Sequence, residues 1–143
     1  MRTIVISGAS RGIGLNIAHR ELKAGNRISI GIRDLESVKG SVIDPNNWPK
    51  EKLLINKYDA LDKFSAKEWV ENTINKFGSF DTLINCSGVL SKVPFLYKDR
   101  DEEEIVNTFN INFLAIWKLC RLSWEHLIQS NNGRIVVLVS MSG

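Results

Sequence analysis

The chain has 143 residues, 43% of them apolar and 24% charged, which is the size and make-up of a single domain, residues 1–143, able to bury a core of its own. Its formal charge of +3 is mild, and Lys and Arg are scattered among Asp and Glu rather than gathered in a run, which argues against a nucleic-acid partner. No apolar stretch is long enough to span a bilayer, Met1-Arg2 leads straight into a strand-like run rather than a signal peptide, and Cys86 and Cys120 lack zinc-ligand or disulfide-framework spacing, so the expectation is a cytoplasmic protein with no membrane partner and no metal.

The chain opens on Thr3-Ile4-Val5-Ile6, a β-branched run that breaks into three glycines, Gly8, Gly12 and Gly14, and then into a helical face of Ile13, Ile17, Ala18 and Leu22. A tight turn at Gly8, a backbone left bare at Gly12 and close helix–strand packing at Gly14 suit a pyrophosphate cradle, since the free amides and the dipole of the helix start favour negative charge. A tight strand–helix connection without a ligand is the plainer alternative. A triphosphate-binding loop is disfavoured, because no Lys-Ser or Lys-Thr pair follows the last glycine. The spacing G-x-x-x-G-x-G resembles the T-G-x-x-x-G-I-G motif of the short-chain dehydrogenase/reductase family, with Ser7 in place of the threonine and a hydroxyl kept. The resemblance implies that Ser7, Gly8, Ser10, Arg11, Gly12, Ile13 and Gly14 form the cofactor turn.

Strand and helix signals then alternate, which favours a parallel sheet built from βαβ units. With the resemblance, this implies a Rossmann-like, doubly wound, three-layer α/β/α fold. Ala24-Gly25-Asn26 stops the first helix, and 27–32 is the second strand. An acidic residue at the end of this strand hydrogen-bonds a ribose 2′-hydroxyl in dinucleotide folds, whereas a basic one accommodates a 2′-phosphate. Where family members that use NAD carry Asp, this chain has Ile32 and then Arg33, and Arg11 supplies a second cation nearby, so NADP is favoured over NAD. Asp34 lies one residue further on and can pair with Arg33; both arginines can also be read as solvated surface charges.

Residues 34–40 are a short helix candidate, 44–49 a loop, and Leu53-Leu54-Ile55 the third strand. Tyr58-Asp59-Ala60 at its end resembles the family's Asp-Val step beside the adenine, which implies contacts from Asp59 and Ala60; a strand-terminating Asp is the alternative. Ser65-Ala66-Lys67-Glu68 has the pattern of a capping box, before a helix with Trp69, Val70, Thr73, Ile74 and Phe77 on one face and Gly78 at its end. The fourth strand runs from Asp81 into Asn85-Cys86-Ser87-Gly88, which resembles the family's N-N-A-G. This implies that Asn85 holds the central sheet through backbone and side-chain hydrogen bonds and that Gly88 passes close to the cofactor.

After an irregular stretch over 89–100, Asp101-Glu102-Glu103-Glu104 opens a long helix whose apolar residues, from Ile105 to Ile128, suggest two apolar sides. Asn112 aligns with the asparagine that the family uses to position a proton-relay water, although an asparagine inside a helix also favours a local bend without any function. In the family this helix helps build a subunit interface, so the segment from Asn112 to Ile128 is a candidate homo-oligomer contact, with Trp117 and Trp124 either interfacial or in the core. Asn131-Asn132-Gly133 ends it, and 134–139 reads as a strand buried on both faces. That strand leads to Ser140-Met141-Ser142-Gly143, where the resemblance selects Ser140 as the catalytic serine. A nucleophilic serine is disfavoured, for there is no G-x-S-x-G elbow.

The resemblance therefore implies an NADP-dependent oxidoreductase that reduces a carbonyl or oxidises an alcohol by hydride transfer, with a small-molecule substrate. The family's Tyr-x-x-x-Lys does not occur in these residues: neither Tyr58 nor Tyr97 is followed by Lys at that spacing. The expectation is a C-terminally incomplete sheet, in which no helix covers one side of 135–139 and no further strand pairs its edge, so that the run is exposed; such a chain is marginal as a lone monomer and inactive by itself, with a catalytically dead nucleotide-binding module or a gene remnant as the alternatives.

Overall fold

A computed structural model describes residues 1–140. Five parallel strands form one sheet in the order β3-β2-β1-β4-β5: β1 (Thr3–Ser7), β2 (Arg27–Ile32), β3 (Leu53–Lys57), β4 (Thr82–Asn85) and β5 (Arg134–Val137). The chain runs outward from β1 to β3, then crosses to the other side of β1 to lay down β4. Strand order therefore reverses between β1 and β4, and in open α/β sheets that reversal, at the carboxyl ends of the strands, is where a ligand crevice opens. The expected layers are present. Side chains alternate along β1, so Ile4 and Ile6 pack with Ala18 and Leu22 of α1 (Gly12–Lys23) on one face. Val5 packs on the other with Trp69 and Val70 of α2 (Ser65–Phe77) and with Leu119 and Leu127 of α4 (Ala115–Gln129).

Strands β1 and β2 have the near-continuous apolar burial of a sheet covered on both sides. The last strand has an apolar run of the same kind, but, as expected from the lack of a covering helix and an edge partner, it is exposed. Every residue of β5 is exposed, since β5 is the outer strand among the described residues and only α4 approaches it. Its apolar run reads as core in the sequence and stands in the open, with Ile135, Val136, Val137 and Val139 all exposed.

Two helix starts also differ from expectation. Ser65 is the first residue of α2 rather than its cap, and its hydroxyl bridges the Asp59 backbone, donating to the carbonyl at 2.8 Å. The Asp62 carboxylate does the capping, accepting from the amides of Phe64 and Ser65 at 2.7 and 3.2 Å. Those two bonds hold the Asp62 carboxyl below the usual carboxylate range. The long helix is not continuous either: α3 (Glu102–Phe109) and α4 are joined by one wide π turn, Asn110–Leu114, centred on Asn112. The face buried by α4 is Ala115, Leu119, Ser123 and Leu127, whereas Trp117 and Trp124 are more than half exposed, so neither belongs to the core. Instead Phe109, Phe113 and Trp117 stack along the outside at 5.1 and 5.8 Å between ring centroids.

Candidate functional site

The corner between β1 and α1 is shaped by what its glycines leave out. Gly8 turns at φ +72°, and a Cβ there would lie 2.8 Å from the Ser87 nitrogen, so β1 and the exit of β4 meet only because no side chain intervenes. Ser7 closes that contact from within: fully buried, its hydroxyl accepts from the amides of Cys86 and Ser87 at 3.3 and 3.4 Å. Helix α1 then begins without a side-chain cap and without an acidic residue in its first turn. Its leading amides have no partner inside the helix, and the positive end of its dipole faces outward.

These features open into a cleft of about 340 Å³ at the carboxyl ends of the strands. Of the residues singled out in the sequence, Gly8, Ser10, Arg11, Gly12, Ile13, Gly14, Arg33, Asp59, Ala60 and Gly88 all line it. Ile13 belongs here rather than on the core face of α1, for it is 62% exposed. Ser7, Asn85, Asn112 and Ser140 do not line the cleft.

Each of those four has a described position. Ser7 braces the turn as above. Asn85 does not hold the sheet through its side chain as expected: its Nδ2 donates only to the Cys120 sulfur at 3.9 Å, and its buried Oδ1 has no hydrogen-bond partner. Its backbone carbonyl does serve the sheet exit, accepting from Leu138 at 3.0 Å. The Asn112 amide is committed at both ends to the backbone of Val89, Oδ1 accepting from its amide at 2.9 Å and Nδ2 donating to its carbonyl at 2.8 Å. This clip fixes the segment that follows Gly88, which forms one wall of the cleft. Ser140 is exposed just past β5, and Gly143, the glycine of its S-x-x-G setting, lies outside the described residues.

The lining carries two cations, Arg11 and Arg33, and one carboxylate, Asp59. The Asp34 carboxylate does not pair with Arg33; it accepts from the Glu36 amide at 2.9 Å and caps the short turn Leu35–Val38. Neither Arg11 nor Arg33 makes an ion pair among the described residues. Asp59, at the exit of the neighbouring β3, accepts from the Leu61 amide at 2.9 Å.

Sequence reasoning missed Gly31, Tyr58 and Cys86 as lining residues. Gly31 carried a usable signal, since a glycine inside a strand marks a close approach; a Cβ there would sit 2.6 Å from the Trp69 ring. Burial, with the neighbouring Asp59 charge, raises the Tyr58 hydroxyl well above its ordinary pKa. Burial likewise raises the Cys86 thiol, so neither group is an anion at neutral pH.

A glycine corner, an uncapped helix start and a cleft at the strand-order reversal define a Rossmann-like α/β protein. Comparison with known proteins agrees and goes further. Residues 2–143 match the short chain dehydrogenase family. The chain is 34% identical over 140 residues to an agropine synthesis reductase of Rhizobium rhizogenes, covering 98% of itself and 31% of that protein. It is 28% identical over 146 residues to a diacetyl reductase, (S)-acetoin forming, of Staphylococcus epidermidis, covering 99% of itself and 54% of the relative. A solved short-chain dehydrogenase/reductase, glucose/ribitol dehydrogenase, of Brucella melitensis superposes with a TM-score of 0.84 at 27% identity, over 99% of this chain and 55% of that one. The chain belongs to the short-chain dehydrogenase family, oxidoreductases that use NAD or NADP, and spans between about a third and just over half of these relatives.

Proposed function

We propose that the cleft binds NADP rather than NAD, and that the chain is the nucleotide-binding part of an oxidoreductase acting on a small carbonyl or alcohol substrate. The observation that carries the choice is the rim charge. Arg11 and Arg33 line the cleft without ion-pair partners among the described residues, while Asp34, next to Arg33 in the chain, is spent on its own turn and Asp59, the carboxylate of the lining, accepts from the Leu61 amide. A guanidinium presents several fixed donors to a phosphate and no acceptor to a ribose hydroxyl. The fit for the rest of the nucleotide rests on the bare corner at Gly8 to Gly14, whose amides face a pyrophosphate, and on Asp59 and Ala60 on the adenine side.

When bound, the nicotinamide would supply or accept the hydride. Toward that step the described residues offer a wall and a donor. The Asn112 clip on Val89 holds the wall beside Gly88, which makes Asn112 a positioning residue. The Ser140 hydroxyl, at the end of the β5 segment, would donate to the substrate carbonyl. No Tyr-x-x-x-Lys lies within these residues to move the proton, and a positioned acid or base contributes about 10²- to 10⁴-fold in rate. The 143-residue polypeptide is therefore expected to bind the nucleotide and not to turn over.

Fluorescence titration of the chain with NADPH and NADH tests the reading. Tighter binding of NADPH by about tenfold or more, the worth of one or two charge-assisted contacts, is expected; equal affinities would overturn the choice of NADP, and no binding of either would overturn the site.

A further inference from the structure

The opposite end of the sheet carries a second concentration of charge. Arg27 at the start of β2, Lys50 and Lys52 before β3, and Lys76 in the last turn of α2 surround a cleft of about 500 Å³, with Glu51 its one lining carboxylate. None of the four cations makes an ion pair among the described residues. Three are held by neutral groups instead. Lys52 Nζ donates to the Gly25 carbonyl at 2.5 Å and Lys76 Nζ to the Leu53 carbonyl at 3.1 Å. The Arg27 guanidinium lies 5.4 Å from the centre of the Phe77 ring and donates from Nη1 to the Phe77 carbonyl at 3.2 Å, while its buried Nε has no partner.

Neutralising helix ends accounts for part of this. The carboxyl ends of α1 and α2 each act as about half a negative charge, and Glu51 adds one, which leaves roughly two of the four positive charges unanswered. Lys52 Nζ also donates to the Met1 sulfur at 3.1 Å; with three donors on each ammonium and five on the guanidinium, every one of the four cations keeps at least one donor for a ligand. We propose that this cleft is an anion site for the phosphate groups of a phosphorylated small molecule, separate from the nucleotide cleft and at the other end of the strands. A volume of about 500 Å³, with Met1 and Phe77 as its apolar lining, fits a compact ligand rather than a polymer.

The test is a titration of the isotopically labelled 143-residue chain with pyrophosphate at fixed ionic strength, followed by amide chemical shifts. Site resolution matters, because pyrophosphate can also reach the glycine corner. Saturable shifts at Arg27, Glu51, Lys52 and Phe77 are expected. In the double variant Lys50→Gln, Lys76→Gln these should need about tenfold more pyrophosphate, with shifts at Gly12 to Gly14 unchanged. Shifts confined to the glycine corner, a non-saturating drift, or unaltered affinity in the folded double variant would each overturn the proposal. Because the two ends are read separately, its failure leaves the NADP reading standing, and the reverse.

Discussion

Gly14→Ala sets two effects of opposite sign against each other at one atom. In an exposed helix interior the change would stabilise by about 1 kcal/mol, because alanine is the better helix former. Here the added Cβ would lie 2.6 Å from the Gly8 carbonyl oxygen and 3.1 Å from the Ala9 Cα. Both are backbone atoms of the turn that α1 packs on, so no flexible side chain can move aside, and overpacking of this kind costs about 1–3 kcal/mol. Overlap wins. A net loss of up to about 2 kcal/mol is expected, which lowers the melting temperature by up to about 8 °C in a domain of this size. Since relief must come from moving α1 off the turn, NADPH affinity should fall as well, by about tenfold or more. Urea denaturation gives the first quantity and fluorescence titration the second. A variant as stable as the parent, with unchanged affinity, would refute the reasoning that close approach at this corner holds the amides in place.

Arg33→Ser should weaken NADPH by about tenfold and leave NADH within about twofold, read by the same titration; equal loss for both would mean that Arg33 shapes the cleft instead of reading a phosphate. Asp62→Ala should destabilise α2, and Asp62→Asn, which keeps an acceptor but no charge, should do so less; urea denaturation compares them. The Asp62 carboxyl is held below its unfolded value, so its contribution is complete above the ordinary carboxylate range and fades as pH falls through the lower folded value, a dependence that should vanish in the alanine variant. Trp69→Phe removes the indole donor to Ser29 at 2.9 Å, inside a buried set in which the Ser29 and Thr73 hydroxyls lie 2.7 Å apart, and should cost about 1–3 kcal/mol by calorimetry before any loss of packing. Trp117→Gln should reduce self-association in light scattering, because the outer row Phe109, Phe113 and Trp117 offers the aromatic surface that assembling proteins cover.

What the sequence disclosed follows from the range of the forces involved. The bounds of β2, the stop at Gly25 and the glycine corner were legible because backbone conformation and burial on two faces leave local marks. The start of α2 was misplaced. Ser65 and Glu68 have the spacing of a reciprocal cap, but the Asp59 backbone claims the serine hydroxyl, a competition that no local pattern announces. For the last strand an apolar run records only what it can bury; its exposure was legible from the order of elements, which supplies neither a covering helix nor an edge partner for it. At the site, the residues lining the cleft were found through a family spacing, whereas the work of Ser7 and Asn112 depends on partners some 80 and 23 positions away.

The wide turn at Asn110–Leu114 joins two halves of one rod. A wide turn holds one residue more than a regular one, so removing a single position from it would let the turn close as ordinary α-helix and leave α3 and α4 in phase. What would change is local: Asn112, at the centre of the turn, would lose the position from which it holds Val89. Length in this stretch thus bears on the cleft wall rather than on the outer aromatic row.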